Sequence, residues 1–141
     1  MFVGGGDIDK YKELSEELGI RKYVKFTGYV SDSKLVELYQ KARLFIYPSF
    51  YEGFGIPILE AGLLKRPVVC SNIPPHVMIG GDDVLKIDPY GKPEEIAKKI
   101  MVFLSRDITR PLFKRVLKKY TWRKIFSERI IPLIENKKER K

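Results

Sequence analysis

Short apolar runs alternate along this chain with longer stretches in which apolar residues recur every three or four positions. Leu44-Phe45-Ile46-Tyr47 is apolar throughout and too short for a helix, which suits a strand buried on both faces. The same reading predicts strands at residues 1–3, 24–27, 67–70 and 84–87. Leu35, Leu38 and Tyr39 share one helical face, and helices are predicted over about 8–18, 33–42, 56–64, 93–104, 110–119 and 122–134. Strands separated by helices of this length imply right-handed crossovers. The expected fold is therefore α/β, a mainly parallel sheet flanked by helices, with ligands at the carboxyl ends of the strands. Gly4 to Gly6, Gly28 to Ser31 and Pro48 to Gly55 all fall at that end. One domain is expected over 1–134, followed by a basic tail at 135–141.

The segment from Tyr47 to Ala61 carries the most chemistry. Pro48 has no N–H with which to continue the strand's ladder, so the strand ends there. Gly53 and Gly55 permit backbone angles and close ligand approach that a side chain forbids, and Pro57 suits the first turn of a helix beginning at about Ile56. The first turn of a helix carries unpaired N–H groups and the positive end of the dipole, the arrangement that holds phosphate oxygens. Two carboxylates bracket this turn, Glu52 in the loop and Glu60 one turn into the helix. Neither stabilises a phosphate, but a carboxylate accepts hydrogen bonds from adjacent hydroxyls. Because helical side chains lean toward the N-terminus, Glu60 can face the same ligand as Glu52. Phosphate on backbone amides with hydroxyls on either side describes a sugar nucleotide. A strand-to-helix corner whose glycines serve packing alone is the plain alternative.

This block resembles the P-S-x-x-E-G-F-G-x-P-x-x-E-A motif, with its E-x7-E spacing, of the retaining GT-B glycosyltransferases of family 4 (group 1). Phe2-Val3-Gly4-Gly5-Gly6, Val24 to Val30, Pro67 to Asn72 and Tyr120-Thr121-Trp122 extend the similarity from Met1 to about Ile134. The resemblance implies a Rossmann-like domain, the donor-binding half of a GT-B enzyme that moves a sugar from a nucleoside diphosphate to a hydroxyl acceptor. Carried over by position, Glu52 contacts the donor sugar hydroxyls and is the expected catalytic residue. Glu60 takes the ribose hydroxyls, and Gly53, Phe54, Gly55 and Ile56 hold sugar and diphosphate. Tyr29, Val30 and Ser31 occupy the place where relatives contact the base; for Tyr29 and Val30 an ordinary strand-end turn explains the same residues, and Ser31 equally suits a helix N-cap. No metal and no cofactor beyond the nucleotide sugar are expected.

In such relatives the donor half opens with a further strand and helix, with an arginine and then a lysine that bind the diphosphate. Met1 resembles the interior of the next strand, so the similarity implies that these cations have no counterpart here. The acceptor half would come from a separate chain or a homo-oligomer. An alternative on the same residues is a truncated binding or interaction module that transfers nothing, and a phosphorylase or epimerase built on the same site is a third.

Composition changes this picture little. The chain has 141 residues, 44% hydrophobic, room for one ordinary core. Apolar runs fall far short of a bilayer span, and the N-terminus lacks a signal-peptide pattern, so a cytoplasmic protein is expected. The lone Cys70 forms no internal disulfide and reads as a packed thiol. His76, the only histidine, sits in Ser71 to Met78, read as a loop in which the histidine is structural or solvated. From Arg110 to the end there are 12 Lys or Arg against 3 Asp or Glu, a net +9, whereas the preceding 109 residues carry 15 of each. Such a segment is a solvated face, a surface for anionic lipid at the inner face of a membrane, or a nucleic-acid contact; no nucleic-acid motif accompanies it.

Overall fold

The computed structural model describes residues 1–106 and 109–132. The chain folds as two compact units, one of Met1–Leu38 and one beginning at Tyr39.

The first unit contains α1 (Ile8–Glu17), a 3-10 turn Arg21–Tyr23 and most of α2 (Asp32–Lys41). Asp7 caps α1, its carboxylate accepting from the Lys10 N–H. The strands expected at 1–3 and 24–27 do pair, but only as isolated bridges: Phe2 runs parallel to Phe26 and Gly4 antiparallel to Gly28. The change of direction over two residues, with Gly4 and Gly28 both at positive φ, stops a ladder from extending. What holds the pair is a short stack of rings, Phe2 on Phe26 at 5.1 Å and on Tyr11 at 5.9 Å.

The second unit holds a three-stranded parallel sheet in the order β1 (Phe45–Tyr47), β2 (Val68–Ser71), β3 (Leu85–Ile87). Phe45 faces Val68 and Tyr47 faces Cys70, while Val69 faces Leu85 and Ser71 faces Ile87. β2 is buried along its whole length, as its unbroken apolar run predicts. α3 (Ile56–Leu63) crosses from β1 to β2, followed by α4 (Pro74–Gly80), α5 (Pro93–Leu104), α6 (Thr109–Lys119), α7 (Trp122–Ile125) and one π-helical turn, Phe126–Ile130. Ile58 and Ala61 of α3, Val68 to Cys70, Ile79, Leu112 and Val116 form the core. Arg115 anchors α6 through an ion pair with Asp83. Residues 133 and 134 of the predicted last helix, and the basic tail, lie outside the described residues.

Two expectations are corrected. β1 is not buried on both faces: Ile46 is exposed while Phe45 and Tyr47 are half-buried, because the sheet's outer face is left open beside this edge strand. The segment around His76 is a helix, not a loop. Ile73 is extended at φ −115° and ψ 153°, as a residue before proline prefers, and the two prolines then occupy the opening positions of α4. Two adjacent prolines read as a loop in sequence, yet both fit where no backbone N–H is needed.

Candidate functional site

The site begins where β1 ends. Tyr47 is the last strand residue, Pro48 breaks the ladder, and the chain returns to α3 through Gly53 and Gly55. Gly55 sits at φ 97°, ψ 44°, a left-handed conformation costly for any residue with a Cβ. A Cβ here would also lie 3.1 Å from His76 Cδ2, so the loop lies directly on the imidazole. Gly53 differs: its φ is not positive and a Cβ would meet nothing within 4 Å, so the fold itself does not require glycine there. Among the described residues the positive end of α3 carries neither a side-chain cap from Gly55 nor a first-turn carboxylate.

Both carboxylates are held by tyrosine hydroxyls. Glu52 Oε1 accepts from Tyr47 and, at 2.9 Å, from the Ser49 hydroxyl. Glu60 Oε2 accepts from Tyr39 at 3.1 Å. The tyrosine rings belong to one row: Tyr39 meets Phe45 edge-on at 5.2 Å, Phe45 stacks on Tyr47 at 5.7 Å, and Tyr47 lies against His76 at 5.2 Å. Phe45 and Tyr47 share a face because strand side chains alternate. Burial, then the charge and hydrogen bond of Glu60, push the Tyr39 hydroxyl well above the usual tyrosine range. Tyr47 is raised too, first by burial and then by its bond to Glu52, with the charge of Glu60 contributing. The row of rings from Tyr39 through Phe45 to Tyr47 thus links the two tyrosines that hold Glu60 and Glu52.

His76 closes the site from below. It is fully buried, and its Nδ1 lies 3.2 Å from the Ser71 carbonyl, which can only accept, so Nδ1 carries a proton. Nε2 has no partner among the described residues, and neither has the buried Ser71 hydroxyl. Cys70, one residue earlier, is an inert packed thiol as expected, burial pushing it up to about 11.

Sequence placed Glu52, Gly53, Phe54, Gly55, Ile56 and Glu60 around one turn, and the structure keeps them there. Phe54, partly exposed, meets Tyr120 edge-on at 6.3 Å, and the Tyr120 hydroxyl donates to the Met78 carbonyl. Tyr29, Val30 and Ser31 belong to the first unit. Tyr29 is 90% exposed with its ring against Gly5, where a Cβ would come within 2.7 Å. Ser31 caps α2, its hydroxyl accepting from the Lys34 N–H at 3.3 Å and exchanging a bond with Ser33. Sequence reasoning missed Tyr39, Tyr47 and Ser49. The first two sit in apolar patterns and read as core; the only cue was a hydroxyl on a ring where phenylalanine would pack as well.

Folds of this kind are known. A sucrose-phosphate synthase from Thermosynechococcus elongatus superposes with a TM-score of 0.80 at 23% identity over 99% of this chain and 38% of that one, and the architecture is that of GT-B glycosyltransferases. The chain belongs to the family Glycosyl transferases group 1, which matches residues 1–120. An O-antigen chain mannosyltransferase B of Escherichia coli is 44% identical over 97 residues, 68% of this chain and 25% of that protein. An uncharacterised glycosyltransferase of Methanocaldococcus jannaschii is 36% identical over 137 residues, 92% of this chain and 35% of its own length. The chain thus spans about a quarter to a third of these two relatives.

Proposed function

We propose that this chain binds the nucleotide-sugar donor of a retaining family 4 glycosyltransferase, which passes the sugar to a hydroxyl acceptor. The observation that carries the reading is the pair Glu52 and Glu60, each fixed by a tyrosine hydroxyl on either side of an uncapped helix start. The N-terminus of α3 and the backbone of Gly53 to Ile56 take the diphosphate, where negative charge grows as the leaving group departs. Glu52 orients the sugar through its hydroxyls and Glu60 the ribose; positioning and electrostatics do the chemistry, with no protein nucleophile and no metal. Tyr29, Val30 and Ser31 read the base in this scheme.

The acceptor is bound by the rest of a longer protein, by a separate chain or by a second copy. The enzyme works in the cytoplasm, and the basic C-terminal segment rests on anionic lipid at the membrane's inner face; no described helix is long and apolar enough to cross it. The test is turnover in the enzyme that joins this domain to an acceptor half. Glu52→Ala is expected to lower kcat by at least a hundredfold, the scale of removing one positioned group that stabilises the transition state. Unchanged turnover would remove Glu52 from the mechanism.

A further inference from the structure

Each carboxylate is engaged at one oxygen. Glu52 Oε1 receives both the Tyr47 and the Ser49 hydroxyls, and Glu60 Oε2 receives that of Tyr39. A carboxylate oxygen offers about two lone-pair sites, so Oε1 of Glu52 is filled while Oε2 accepts from no described residue. On Glu60, Oε1 accepts from no described residue, and Oε2 accepts from Tyr39 alone among them. A pair of neighbouring hydroxyls, as on a hexose or a ribose, needs just such an oxygen.

We propose that Tyr39 and Tyr47 are positioning residues that select which carboxylate oxygen faces the ligand. Tyr47 sets recognition of the donor's sugar and Tyr39 recognition of its ribose. The proposal rests on the donor-binding reading above and deepens it. Three observations separate it from plain core packing. Tyr39 is only 7% exposed and touches Phe45, so its ring would pack equally well without a hydroxyl. The hydroxyl is aimed at a carboxylate instead of a backbone carbonyl. And Tyr47 repeats the arrangement from a different element, with Ser49 filling the second site on the same oxygen. The row from Tyr39 through Phe45 and Tyr47 to His76 is anchored at its end by the bond to Ser71, so neither ring can swing without displacing the next.

The roles predict an asymmetry that a structural role does not. Calorimetric titrations of the 141-residue chain with UDP, GDP and ADP, and with UDP-glucose, GDP-mannose and ADP-glucose, compare wild type with Tyr39→Phe, Tyr47→Phe, Glu52→Gln and Glu60→Gln. Tyr47→Phe is expected to weaken the nucleotide sugar about tenfold and leave the sugar-free nucleotide within about twofold, the scale of one charge-assisted hydrogen bond made to the sugar alone. Tyr39→Phe is expected to weaken both about tenfold. Ser49→Ala, which keeps every ring, follows Tyr47→Phe with a smaller factor. Equal losses for both ligands in Tyr47→Phe would mark the tyrosine as structural and overturn the proposal. So would Tyr47→Phe changing nothing while Glu52→Gln weakens the sugar nucleotide, which leaves the donor reading standing. Wild-type chain that binds none of the six would overturn the donor reading and this proposal with it.

Discussion

Two turns in this molecule use a glycine at positive φ after an extended segment, and they are built differently. At Gly28, in the first unit, a Cβ would meet nothing within 4 Å, and the neighbouring Tyr29 ring stands 90% exposed. At Gly55, in the second, the backbone rests on a buried imidazole, and the carboxylates on either side of the turn are gripped by tyrosine hydroxyls. The first turn asks only for a backbone angle. The second asks for an angle, a close approach and a fixed neighbourhood, which is how a site prepared in advance of its ligand is made.

The contrast should appear first in stability. Ile58→Ala, beneath the second turn and fully buried, is expected to cost about 2–5 kcal/mol in denaturant unfolding, whereas Phe2→Ala, half exposed in the first unit, should cost about 1 kcal/mol. Comparable losses would mean that the two units are equally packed. Gly55→Ala combines left-handed strain with a close approach to His76 and should cost about 2–3 kcal/mol; Gly28→Ala carries the strain alone, about 1–2 kcal/mol. Gly53→Ala, with neither, should change the midpoint little while lowering donor affinity, because the open face above it is where a ligand would lie.

The smallest effect concerns pH. Tyr39 and Tyr47 hold their protons in the folded state above the pH at which a free tyrosine, near 10.0, loses its own. At higher pH the unfolded chain therefore binds fewer protons, and stability falls. Their contribution is complete at neutral pH and fades as pH climbs past about 10, and Tyr39→Phe should flatten that decline in melts taken from about pH 8 to 11.

The second unit was more legible in sequence than the first. The Pro67 to Cys70 run became β2, buried along its whole length as an apolar run predicts, whereas the Leu44 to Tyr47 run became β1 with Ile46 exposed, a strand covered on one face only. In the first unit the short segments at 1–3 and 24–27 gave only bridges, since two residues of mixed pairing direction cannot be foreseen from hydropathy. Glu52 and Glu60 were visible through their spacing about two glycines and a proline. Tyr39 and Tyr47 were not, because a hydroxyl pointing at a carboxylate is a tertiary fact. His76 was misplaced for a local reason: Pro74 and Pro75 open α4 instead of a loop.

The central claim is that the turn between Glu52 and Glu60 holds a nucleotide sugar, and thermal unfolding of the purified chain against UDP-, GDP- and ADP-sugars tests it most directly. A ligand at about 100 times its Kd adds roughly 2.7 kcal/mol, several degrees for a domain of this size. The account predicts such a rise with one nucleotide class, abolished by Glu60→Ala. A cooperative transition that no donor moves, or a rise that survives Glu60→Ala, would contradict it.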